Sequence, residues 1–116
     1  MTASESARTV VRHSQLVKVR PERRDEYLAL HAAVWPQVEA TLTASNFTNY
    51  TIFIHDDLLI SYFEYAGDDY AADLERIAAD PVTQEWWTHT DPCQTPVDGA
   101  PEGAVWVDAR EVWHLA

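Results

Sequence analysis

The chain has 116 residues, with eight Lys+Arg against nineteen Asp+Glu and a formal net charge of −11. Nucleic acids and anionic membranes are held through basic patches, so this balance excludes both as partners and favours a neutral ligand over a phosphorylated one. A hydrophobic content of 47% at this length fits one domain with its own core, and the single Cys93 excludes an internal disulfide.

The first ten residues lack the apolar core of a signal peptide, and no apolar run approaches the length of a membrane span. A cytoplasmic protein is therefore expected, with residues 1–10 as a flexible N-terminal tail and residues 11–116 as a single domain. From Val11 to Val19 side chains alternate, Leu16 and Lys18 facing one way and Val17 and Val19 the other, which reads as the first strand. Pro21 then opens a helix at a position where a missing N–H costs nothing, with Glu22, Asp25 and Glu26 in the early turns that favour negative charge. Tyr27, His31, Val34, Trp35, Val38 and Leu42 follow at helical spacing and make one stripe. Pro36 cannot continue that helix undisturbed, so a break is expected at Val34 and Trp35, followed by a second segment to about Ser45.

Residues 49–54, Asn-Tyr-Thr-Ile-Phe-Ile, and residues 58–65 are rich in aromatic and β-branched types and flank Asp56-Asp57, which reads as a hairpin. Gly67-Asp68-Asp69 starts the next helix, with Tyr70, Leu74, Ile77 and Ala78 expected on its buried face. Asp80-Pro81 ends it and opens another that carries Trp86-Trp87, since Asp is a good N-cap and Pro suits the first turn. Residues 91–103 read as a loop and residues 105–115 as a closing strand. The order β-α-β-β-α-β is that of the ferredoxin-like fold, an α+β architecture with helices on one face of an antiparallel sheet. The other face needs cover, and a symmetric homodimer packing sheet against sheet supplies it.

A lone histidine on an apolar helix face is most often a hydrogen-bonded core residue. Tyr27 on the same face changes the balance, because a phenol and an imidazole aimed at one spot suit a hydroxylated substrate and proton transfer near neutral pH. Tyr50 is either a half-exposed strand residue or a hydrogen-bonding wall of the same pocket. Adjacent helical residues point about 100° apart, so one of Trp86 and Trp87 can pack in the core while the other lines a cavity and stacks on the apolar face of a sugar. His13, His31, His55, His89 and His114 show no metal-ligand spacing, and no metal is expected. No feature orients Cys93 as a nucleophile.

Glu26-Tyr27 with His31, Val34-Trp35-Pro36, residues 49–53, Gln84-Glu85-Trp86-Trp87 and the terminal Glu111-Val112-Trp113-His114-Leu115 together resemble the L-rhamnose mutarotase family, in order and near spacing across residues 12–115. The resemblance implies a dimeric α/β barrel of ferredoxin-like subunits acting on a monosaccharide without a cofactor. It also implies His31 as the proton donor, with Tyr27, Tyr50, Trp86 and Trp87 binding the sugar. The chain departs from the family at His31-Ala32-Ala33, where a proline often stands two residues after the histidine. It departs again in residues 91–103, expected to act as a lid and to set which deoxyhexose is preferred. Mutarotation needs a proton acceptor as well as a donor, and Asp91, Glu64 or a water are the candidates. Two other readings compete: a cofactor-free monooxygenase or cyclase acting on a polyketide-like aromatic, and a sugar-binding module without catalysis.

Overall fold

The computed structural model describes residues 9–116, so most of the expected tail lies outside the described residues. Five strands follow in chain order: β1 Val11–Val19, β2 Phe47–His55, β3 Leu58–Tyr65, β4 Gln94–Thr95 and β5 Val107–Ala109. Four α-helices, α1 Arg24–Ala32, α2 Pro36–Ala44, α3 Tyr70–Ala79 and α4 Pro81–Thr90, lie between them, with short 3₁₀ turns at Pro21–Arg23 and Asp91–Cys93. None of these helices is long and apolar enough to cross a membrane.

Proline sets the first helical boundary. Its ring disfavours the helical region for the residue before it, and Trp35 is extended at φ −63° and ψ 131°. The stripe is thereby split between α1 and α2, and Val34 and Trp35 occupy the corner. Asp69 caps α3 by accepting from the Ala72 N–H at 3.1 Å, and Asp80 caps α4 by accepting from the Thr83 N–H at 3.0 Å. Pro81 sits in the first turn of α4, where its absent N–H has no intrahelical partner to lose.

The sheet is antiparallel in the order β2-β3-β1-β4, with β5 also on β1. This is the ferredoxin-like order, with the last edge position divided. β4 pairs with Lys18 and Val19, and β5 pairs with Ser14 to Leu16. That division corrects two expectations. The closing strand shrinks from 105–115 to Val107–Ala109, because pairing stops at Ser14 and the chain then leaves the edge, tied by the ion pair of Arg12 with Glu111. The loop 91–103 is not free along its length either. Its first residues form the 3₁₀ turn and β4, held to β1 by the ladder and by the Arg20 N–H donating to the Cys93 carbonyl at 2.7 Å.

Val17, Val19, Leu59, Phe63, Tyr65 and Phe47 line the inner face of the sheet and are buried under the helices. On the outer face Leu16, Ile60 and Phe53 stand in one cross-strand row, and Phe53 is 57% exposed. Helix α3 departs from its expected face: Asp73 is buried at 5% exposure while Leu74 and Ala78 are exposed. The carboxylate takes the inward position because two donors, one on the buried Tyr65 and one on the half-buried Asn46, need an acceptor there. It receives the Tyr65 hydroxyl and, at 3.0 Å, the Asn46 amide.

Candidate active site

A cleft of about 830 Å³ opens between the inner face of the sheet and the four helices. Tyr27, His31, Tyr50, Trp86 and Trp87 all line it.

Tyr27 projects from the middle of α1 into the core cluster of Val17, Val19, Leu59 and Cys93, and is 2% exposed. Burial drives its pKa well above the ordinary tyrosine value, with the nearby Tyr50 adding to the rise and a hydrogen bond with Gln94 offsetting part of it.

His31 lies one turn further along α1 and stacks on the Tyr27 ring, with centroids 4.1 Å apart. Its Nδ1 is 3.0 Å from the Tyr27 carbonyl, which can only accept. Nδ1 therefore carries a proton, and Nε2 is the nitrogen available to a ligand. Burial lowers the His31 pKa, and the Nδ1 bond to the carbonyl partly opposes that. Its protonated form is therefore a stronger acid than that of an exposed histidine.

Tyr50 reaches the cleft through an irregularity of β2. Thr48 pairs with Glu64 and Thr51 with Tyr62, so Asn49 and Tyr50 both oppose Phe63. This β-bulge places Asn49 in the left-handed region at φ 50° and turns Tyr50 to the inner face, where its ring stacks on Phe63. The side chain as a whole is 41% exposed, but its hydroxyl end is desolvated beside Tyr70, which raises the pKa to about 12.

Trp86 and Trp87 stand side by side on α4. Trp86 is buried and wedges edge-on between His31 and Trp35, at 5.4 and 5.2 Å. Trp87 is 37% exposed at the rim. The two candidate carboxylates separate: Asp91 lines the cleft. Glu64 faces the opposite side of the sheet, where Tyr62 and Asn49 donate to it at 2.7 and 2.8 Å. Cys93 is fully buried, its thiol donates to the His89 carbonyl at 3.5 Å, and burial raises its pKa, so it has none of the features of an activated nucleophile.

Among the lining residues that sequence reasoning missed are Gln15, Gln94 and Trp106. Gln15 left a signal, since it falls in the same alternation as Val17 and Val19 and is thus a polar residue on an inward face. Gln94 left none, because its inward direction comes from pairing with Val19 across sequence.

Residues 12–115 match the family model described as L-rhamnose mutarotase. An L-rhamnose mutarotase of Lactiplantibacillus plantarum is 31% identical over 107 residues, covering 91% of this chain and 99% of the relative. One from Listeria monocytogenes is 29% identical over 105 residues, covering 90% and 98%. Among solved structures, an L-rhamnose mutarotase of Formosa agariphila superposes with a TM-score of 0.71 at 20% identity, covering 91% of this chain and 99% of that one. Tetracenomycin F2 cyclase of Streptomyces glaucescens superposes at 0.62 and 17% identity, with the same coverage. At these identities the structural likenesses speak for the fold.

Proposed function

The chain belongs to the L-rhamnose mutarotase family, and from that premise we propose that it interconverts the α and β anomers of L-rhamnose or a related deoxyhexose. The observation that carries the reading is the convergence of the His31 imidazole with three phenols (Tyr27, Tyr50, Tyr70) and three indoles (Trp86, Trp87, Trp106) on a single cleft. Indole faces suit the apolar face and methyl group of a deoxysugar, while phenols hold its hydroxyls.

Mutarotation opens the pyranose and closes it on the other face. On opening, the anomeric hydroxyl loses its proton and becomes a carbonyl. The C1–O5 electron pair leaves with the ring oxygen, which takes up a proton. Rotation about C1–C2 presents the other face of the aldehyde, and closure reverses each transfer. In its imidazolium form, with Nε2 protonated as well as Nδ1, His31 is the donor to the ring oxygen, its ring held by the Tyr27 carbonyl, the stacked Tyr27 ring and an edge contact with Trp86. Tyr27 and Tyr50 bind hydroxyls, and Trp86 and Trp87 hold the apolar side. Positioned acid–base groups of this kind contribute about 10²–10⁴-fold each.

The working unit is a homodimer in which two outer sheet faces meet through the row of Leu16, Phe53 and Ile60, and residues 11–116 act as one domain. A cytoplasmic location goes with a single cysteine kept as a thiol. The cyclase and monooxygenase chemistry hosted by the same architecture has no comparable support beyond fold.

The test is saturation-transfer proton NMR of anomer exchange for L-rhamnose, with L-fucose and D-glucose alongside. Acceleration for rhamnose that is lost in His31→Ala supports the reading and the donor. No acceleration for any of the three sugars overturns it.

A further inference from the structure

The donor His31 needs a partner that accepts the proton of the anomeric hydroxyl. Among the described residues the cleft offers two carboxylates, Glu39 and Asp91. Glu39 lies on α2 among Leu42 and Thr43, toward the end of the cleft where Leu42 packs on Phe47 and Ile77. Asp91 lies at the other end. Its turn packs on α1, Cys93 of that turn shares a core cluster with Tyr27, and Gln94 just beyond reaches the Tyr27 hydroxyl.

Asp91 is also aimed by α4. Its backbone is helical at φ −57° and ψ −43°, and its N–H donates to the Trp87 carbonyl. The side chain therefore sits one turn beyond Trp87 on the face that lines the cleft. Among the described residues no side-chain hydrogen bond or ion pair engages it, so both oxygens are free to accept from a ligand hydroxyl. A sugar stacked on Trp87 brings its hydroxyls to this carboxylate while His31 meets the ring from α1.

We propose that Asp91 is the second catalytic residue of the reaction, the base that removes the anomeric proton on ring opening. The proposal rests on the mutarotase reading. The carboxylate takes H from O1, C1=O1 forms, C1–O5 breaks with its electron pair going to O5, and the imidazolium form of His31 gives its Nε2 proton to O5, becoming neutral. Closure returns the Asp91 proton to O1 and takes the O5 proton back to His31, so the pair ends with the protons it started with. Asp91 is an exposed residue at the mouth of the cleft; partial desolvation of its carboxyl raises its pKa while burial lowers that of His31, which brings the two groups closer in basicity.

The experiment compares wild type with Asp91→Asn and Asp91→Gly. Anomer exchange of L-rhamnose is read by saturation transfer, and binding is read by quenching of tryptophan emission. Catalysed exchange is expected to fall about 10²-fold in both variants while rhamnose quenches over the same concentration range. Added formate is expected to restore exchange in Asp91→Gly and leave Asp91→Asn unchanged. Because the Asp91 side chain holds nothing in the fold, both variants should keep the wild-type circular dichroism. Exchange at the wild-type rate in Asp91→Asn overturns the proposal. Loss of binding with exchange, or no rescue by formate, overturns it too and makes Asp91 a binding residue. A wild type that accelerates no exchange sinks the mutarotase reading itself, and the proposal with it.

Discussion

The ring of Tyr50 lies flat on that of Phe63, with centroids 5.0 Å apart, because Phe63 faces two residues of β2 where every neighbouring position faces one. Without the bulge, strict alternation from the buried Phe47 would send Tyr50 to the outer face of the sheet and Asn49 into the cleft. A single inserted residue therefore decides whether Tyr50 joins Tyr27 in the cleft.

Asn49 makes that bulge possible, since its φ of 50° is a conformation that asparagine and glycine tolerate and β-branched residues do not. Asn49→Val is expected to cost about 1–2 kcal/mol and to weaken rhamnose binding as the strand relaxes toward regular pairing. Asn49→Gly loses only an exposed bond to Glu64 and should bind as wild type does. Thermal melts and sugar titrations of the two variants check this. Equal affinity in Asn49→Val and wild type would show that the bulge does not aim Tyr50.

The same residue marks the boundary of what the sequence discloses. Features set by neighbours along the chain were legible: the break before Pro36, the Asp56-Asp57 hairpin, the Asp69 and Asp80 caps and the Tyr27–His31 stripe. Each depends on contacts within about one helical turn or one β-turn. Features set by competition between distant segments were not. The closing strand looked long because residues 105–115 have strand composition, but β4 already holds part of the only open edge of β1. Leu74 looked buried on helical periodicity, yet the donors of Tyr65 and Asn46 draw Asp73 inward instead. Tyr50 could be named as a candidate, but its direction is a matter of register, and a bulge has no periodicity of its own.

Tyr27 and Gln94 should behave as one unit. Gln94 stands beside the Tyr27 hydroxyl; if its amide donates to the phenol oxygen, the phenol proton is left to point at a ligand acceptor. Tyr27→Phe removes that donor, and Gln94→Leu keeps the bulk of the side chain while freeing the phenol to rotate. Each is expected to weaken rhamnose binding by about 1 kcal/mol. The double variant should lose little more than either one, giving a coupling of at least about 0.5 kcal/mol in a double-mutant cycle. Strictly additive losses would mean that Gln94 packs beside Tyr27 without orienting it.

The pH dependence of exchange follows from the donor's environment. His31 is held below the usual histidine value of 6.5, chiefly by burial, so its acidic form grows only as the pH falls beneath that value. If His31 protonates the ring oxygen, catalysed exchange should increase as the pH is lowered from 8 through 6.5, after the solvent rate is subtracted. Two other titrating groups share this end of the cleft. Tyr27, pushed upward by burial, stays protonated throughout and leaves the profile unchanged. Asp91, raised by burial from 3.8, gains its proton at the acid end, where exchange should turn down as the base is lost. The expected profile is a bell whose maximum lies on the acid side of 6.5. In Asp91→Asn the acid limb should disappear with most of the rate, while the limb governed by His31 stays. A wild-type profile that climbs steadily toward alkaline pH would instead make neutral His31 the base, and the donor would have to be sought elsewhere in the cleft.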